Sequence, residues 1–321
     1  MTHAFDAFVT AALFDSDDRA WFALGDGTVR SEDGQVHTAH GGAVLCAAVH
    51  PSGQGLLTGG DDGALVWTQS SGCQVLERSP GRWIDALAAS EPSGLIAWAA
   101  GREVQVRDVA APDFRRLFAH ERSVTDLAFD PRGRRLAAAT YGGAWLWYAR
   151  IAEQKPELLK WAGSHIALAW SPDSKFLMSA MQENALHGWR VADDKNLKMG
   201  GYPAKVKSLA FLSKGQMLVT SGANGAVVWP FSGSAGPLGK EAAEIGYDES
   251  ALVARVAADP NSRLVAAGLE DGRVWTCDLT GQRIDMHKAD KGESISALAF
   301  SRKARRLAWG DEAGGAGVFD L

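Results

Sequence analysis

Apolar residues recur along the chain in short runs separated by polar turns, with no long stretch of helical spacing. The clearest run is Val124-Thr125-Asp126-Leu127-Ala128-Phe129, followed by Asp130-Pro131. Val206-Lys207-Ser208-Leu209-Ala210-Phe211 and Ile295-Ser296-Ala297-Leu298-Ala299-Phe300 repeat its pattern, and Val253-Ala254-Arg255-Val256-Ala257-Ala258 is followed by the same Asp-Pro step. Weaker copies begin at Val9, Val44, Ile84 and His165. After each copy comes a turn such as Pro51-Ser52-Gly53 or Pro131-Arg132-Gly133, where proline presets φ and a small residue allows the next bend. A second apolar strand follows, then an Asp/Asn-Gly hairpin at Asp26-Gly27, Asp62-Gly63, Asn224-Gly225 or Asp271-Gly272. Such dipeptides favour the turns that match strand twist. The third strand often ends near tryptophan, at Trp67, Trp147, Trp189 and Trp229, and a more polar fourth strand closes the unit.

Short strands with a turn every ~8–12 residues predict an all-β protein. Eight units in 321 residues give about 40 residues each, the size of a four-stranded propeller blade. One blade cannot bury both faces of its sheet, and stacking in a ring does so. The expectation is therefore a single closed β-propeller domain over residues 1–321, of four-stranded blades, eight in number with seven as the alternative. The chain stops at Leu321, straight after a third strand. Residues 1–8 are expected to supply the missing fourth strand and close the last blade, since closure removes two exposed edges.

These strands, hairpins and tryptophans resemble the WD40-repeat family over essentially the whole chain. Arg107-Asp108, Cys277-Asp278 and Phe319-Asp320 stand where that family has Trp-Asp, and Ala39-His40 and Ala119-His120 where it has Gly-His. The resemblance implies a buried hydrogen-bond network of His40, Thr58, Asp62 and Trp67, with Trp67 one residue early after its hairpin. It also implies a non-catalytic scaffold that binds a protein or peptide on a propeller face.

Composition removes other classes. A net charge of -5 gives no global attraction to nucleic acid or anionic membrane. Three widely separated cysteines, Cys46, Cys73 and Cys277, make no disulfide framework, which suggests a reducing cytoplasm. The first ten residues lack the basic and apolar regions of a signal peptide, and no run approaches the ~20 apolar residues of a membrane span. Gly236-Pro237-Leu238-Gly239-Lys240-Glu241 lacks the spacing of a phosphate loop. His37, His40 and His50 lack companions for a metal site. No catalytic residue, metal or cofactor is expected.

Charge is distributed by turn type. In or beside the turns joining second and third strands lie Asp61, Asp62, Glu183, Asn224, Glu270, Asp271 and Asp311, a candidate acidic binding face. Beside the turns joining first and second strands lie Arg132, Arg134, Lys175, Arg263, Arg302 and Arg306, a basic opposite face. Two alternatives follow: a small-ligand or enzymatic site in the central channel, and nucleic-acid binding on the basic face, which the overall acidity disfavours. Trp83, Trp145, Trp161 and Trp275 fall outside the repeated tryptophan position and are candidates for exposed anchors. The unit between Trp229 and Val253 is longer than the rest and reads as a loop insertion or a partner contact.

Overall fold

Strand-forming runs and glycine turns fold the chain into consecutive antiparallel sheets arranged in a ring, described by a computed structural model for residues 2–303 and 305–321. Apart from one 3-10 turn at Ser213–Gly215, the regular elements among these residues are β-strands. The innermost strands succeed one another round the ring. Val9–Phe14 lies beside Val44–Val49, then come Ala86–Ser90, Asp126–Phe129 and the end of Glu157–Trp170. Leu209–Leu212, Val253–Ala258 and Ile295–Phe300 complete the circuit back to Val9–Phe14.

Apolar side chains fill the spaces between neighbouring sheets. Leu57 and Leu65 of one unit pack with Ile84, Leu87, Ile96 and Trp98 of the next. Val104, Val106 and Phe118 pack in the same way against Leu127, Leu136 and Ala138. This burial stabilises the ring, because no single sheet has a core of its own.

Counted as hydrogen-bonded sheets among the described residues, the ring has seven members, the alternative of the sequence count and not its leading value of eight. Six sheets have four strands, and the seventh has six, running from Asp126–Phe129 to Lys195–Met199. That sheet holds two sequence units. Arg135–Tyr148 folds back on itself around Gly142 and Gly143, both at positive φ (96° and 145°), and the Ala149 amide donates to Arg134 O at 2.9 Å. Glu157–Trp170 begins as the outer strand of one unit, with Glu157 paired to Leu146. It ends as the inner strand of the next, with Trp170 paired to Leu177. Only Trp161-Ala162-Gly163 interrupts the pairing, because Ser164 still pairs with Tyr141 before His165 begins pairing with Met181, so the strand runs through and the units merge.

At the seam, Thr2–Ala4 pairs antiparallel with Gly315–Asp320, in the register Thr2↔Gly317, His3↔Ala316, Ala4↔Gly315. Phe5 follows into the core and lies 5.5 Å from the Phe22 ring. Met1, part of the expected closing segment, lies outside the described residues. Among the described residues, no helix is long and apolar enough to cross a membrane.

Candidate functional site: the face of the hairpin turns

The hairpins between second and third strands share a face with the connections between consecutive units. Backbone hydrogen bonds fix this. His40 N donates to Gly27 O, Ile84 N to Gly60 O, Val124 N to Gly101 O and Val253 N to Ala223 O. At Gly27 and Gly63 the hairpin has positive φ (85° and 71°), and a Cβ would strike a carbonyl of the connection, 2.3 Å away in each case. Glycine there permits both the turn and the close approach. Four exposed aromatic residues stand on this face: Phe8 (42%), Trp83 (63%), Tyr141 (61%) and Tyr247 (64%). Of the four tryptophans nominated as anchors, Trp83 is exposed, Trp145 and Trp161 are half-buried, and Trp275 is buried.

The acidic residues are on this face, but most are engaged. Asp271 contacts Arg273 at 2.8 Å and Lys291 at 3.3 Å. Burial pushes its carboxyl up, yet the two cations outweigh burial and hold it below the usual range. Glu270 lies 3.7 Å from Lys207. The Asn224 amide donates to Asp248 O at 3.1 Å. Asp311 is buried and accepts the Ala313 and Gly315 amides of its own turn at 3.0 and 2.7 Å. Among the described residues, Asp61 and Glu183 have no ion-pair partner. Half of the basic-turn residues are paired as well: Arg302 with Glu91 (2.7 Å), Lys175 with Asp173 (2.9 Å), and Arg306 with Glu32.

Three of the four residues in the expected network meet. His40 Nδ1 donates to Asp62 Oδ1 at 2.9 Å, which leaves Nε2 to accept the Thr58 hydroxyl at 2.8 Å. Burial raises the Asp62 carboxyl, but His40 and the Ala64 and Gly41 amides bring it below its ordinary value. Trp67 stands apart. Its indole donates to Gln54 O at 2.9 Å, and its ring stacks on His50 at 3.9 Å. Register is the reason: Thr58 pairs with Val66, so Trp67, one residue on, points to the opposite face of the sheet.

Two other networks went unread in the sequence. Tyr202 OH shares a hydrogen bond with Thr220 Oγ1 at 2.7 Å and accepts the Trp229 indole at 2.7 Å. Here Thr220 pairs with Val227, so Trp229 lies two residues on and on the same side. Tyr202 precedes Thr220 by the 18 residues that separate His40 from Thr58, and that interval was the available signal. Trp147 Nε1 donates to His120 Nε2 at 3.1 Å.

The inner strands read as small and apolar, but they carry polar side chains that bond to the next strand round the ring. Thr10 donates to Val44 O (3.0 Å), the Cys46 thiol to Ile84 O (3.3 Å) and Thr125 to His165 O. Leu168 N donates to Asp126 Oδ2 (2.7 Å) and Val256 N to Ser208 Oγ (2.8 Å). Arg255 Nε donates to Ser296 O, and Ser296 Oγ to Val9 O, both at 2.7 Å. These groups act as latches between units and do not converge on a ligand. Burial pushes the Asp126 carboxyl up to about 7 and raises the Cys46 thiol. Among the described residues, no group of three or more His, Cys, Asp or Glu could hold a metal ion.

The family model for the WD domain, G-beta repeat, matches residues 32–67 and 113–147. The chain is a β-propeller in which these two stretches match the WD40 repeat. The first match contains His40, Thr58 and Asp62, and the second contains His120 and Trp147. The unit with Tyr202 in place of histidine lies outside both matched stretches.

Similarity to curated proteins is short. The ribosome biogenesis protein erb1 of Aspergillus oryzae is 37% identical over 79 residues, which is 24% of this chain and 9% of that protein. Erb1 of Neosartorya fischeri is 35% identical over the same length and shares. The match thus spans about a tenth of these relatives' length. Among solved structures, the computationally designed Ika8 protein has a TM-score of 0.80 at 19% identity, covering 99% of this chain and 98% of that one. The β-propeller domain of Myceliophteria thermophila Cps50 (Swd1) has a TM-score of 0.68 at 15% identity, covering 87% and 96%. At these identities the likeness concerns the fold.

Proposed function

We propose that the chain works as one closed domain, a non-catalytic scaffold that docks a protein or peptide on the face of its hairpin turns. The observation that carries this reading is the gathering of Phe8, Trp83, Tyr141 and Tyr247, all exposed, on that face. Exposed Trp and Tyr are the side chains that supply most energy per contact when a partner covers them. The uncompensated carboxylates Asp61 and Glu183 stand on the same side and favour a basic partner. The channel offers less, because its polar side chains bond to neighbouring strands.

The test is quantitative recovery of bound polypeptides from an extract of the cells that make the protein. Wild type is compared with a Trp83→Ala, Tyr141→Ala variant and with a Lys175→Ala control on the opposite face. The face variant is expected to lose the partner while melting like wild type. Equal recovery by all three proteins would end the docking reading.

A further inference from the structure

The lengthened unit after Trp229 is only partly loop. Ala243–Ile245 forms the fourth strand of its sheet, paired with Ala226–Pro230. Between this strand and residues 200–203 lies a cleft of about 270 Å³, walled by Tyr202, Trp229, Tyr247, Asn224 and Glu244. That is below the roughly 300–1,000 Å³ typical of sites for drug-sized molecules and suits a single side chain.

The walls are fixed. Tyr202 OH is held by Thr220 and by the Trp229 indole. Gly246 passes so close to Trp275 that a Cβ would meet its ring at 2.6 Å, and Asp248 N bonds to Asn224 O at 3.0 Å. Tyr247, held between these two anchors, remains largely exposed. Glu244 Oε1 accepts the Gly225 amide at 2.6 Å, which orients the carboxylate. Among the described residues, neither Glu244 nor Glu249 has an ion-pair partner, whereas nearby Asp248 and Asp271 are neutralised by Arg273 and Lys291 together. The cleft therefore combines three aromatic rings with an uncompensated negative charge. A cation on an apolar stem complements both, because ring faces attract cations and the stem buries against apolar walls.

We propose that this cleft holds a lysine or arginine side chain of a polypeptide docked on the face, an assignment that rests on the docking reading above. The full chain is titrated with acetyl-Ala-Ala-Lys-Ala-Ala-amide, its arginine counterpart and a norleucine analogue that keeps the stem without the charge. The Trp229 indole proton signal reports binding. The basic peptides are expected to shift that signal, and the norleucine peptide to bind about 5-fold more weakly or worse. Tyr247→Ala and Glu244→Gln should each weaken the basic peptides by about 5-fold. Both positions are exposed, and glutamine keeps the acceptor for Gly225, so both variants should melt like wild type. Equal binding of the norleucine and lysine peptides, no shift with either basic peptide, or titrations unchanged by both substitutions would overturn the assignment. If those results came while Trp83→Ala, Tyr141→Ala still abolished partner recovery, the cleft would fall and the docking surface would stand.

Discussion

Replacing Asp126 with asparagine removes a charge that the channel wall holds at a cost. Asp126 Oδ2 accepts the Leu168 amide from the neighbouring inner strand at 2.7 Å, and asparagine can keep that bond through its own carbonyl oxygen. Burial is the largest influence on the carboxyl and pushes it from its ordinary 3.8 up to about 7. A folded-state pKa above the unfolded one means that the stability is fully present below about pH 4 and is lost as pH rises through 7. Between 3.8 and 7 the loss amounts to at most about 4 kcal/mol at pH 8. The side chain is half-buried, so channel water offsets part of this, and about 2 kcal/mol is the expected gain for Asp126→Asn at pH 8. The assay is urea denaturation of both proteins from pH 8 down to pH 4. The variant should be the more stable at pH 8, and its advantage should shrink steadily as the pH falls. A wild type that is more stable at pH 8, or a gap that ignores pH, would refute the reasoning.

Deleting residues 1–8 should lower the melting temperature by about 5–10 °C, because burying Phe5 alone is worth ~2 kcal/mol and the deletion also exposes the edge of Gly315–Asp320; an unchanged melt would remove the closure argument. Histidine titration works in the opposite sense to Asp126. Burial pulls His50 and His187 down to about 4, so the stability they leave intact above about pH 6.5 is lost as pH falls toward 4. In the Asp126→Asn background the urea midpoint should therefore be lower at pH 4.5 than at pH 7, and a midpoint that stays level or rises would contradict the burial of these rings.

The residue pattern by itself determined the unit of this protein. Alternating apolar runs, Asp-Gly hairpins and proline turns are local signals, and they specify short twisted strands wherever they occur. The repeat length then implied stacking in a ring, because a single small sheet leaves a face uncovered. Part of the candidate site was legible for the same reason. His40, Thr58 and Asp62 sit at fixed offsets from a hairpin, and Trp83 was marked by falling outside the repeat.

Tertiary structure decided the rest, wherever the outcome depended on which units became neighbours. Glu270 looked like surface charge until Lys207, from the preceding sheet, came within 3.7 Å of it. Thr10, Asp126 and Ser296 gave no sign that they bond across to the next inner strand, since each partner is a backbone atom of another unit. Trp67 left its network through a one-residue offset in cross-strand pairing, and two units merged into one sheet because Ser164 keeps its pairing to Tyr141 up to the start of the next inner strand. Hairpin chemistry acts within a few residues and can be read from order alone. Charge neutralisation, latching and sheet boundaries depend on distances across the ring, and those exist only once the chain has closed.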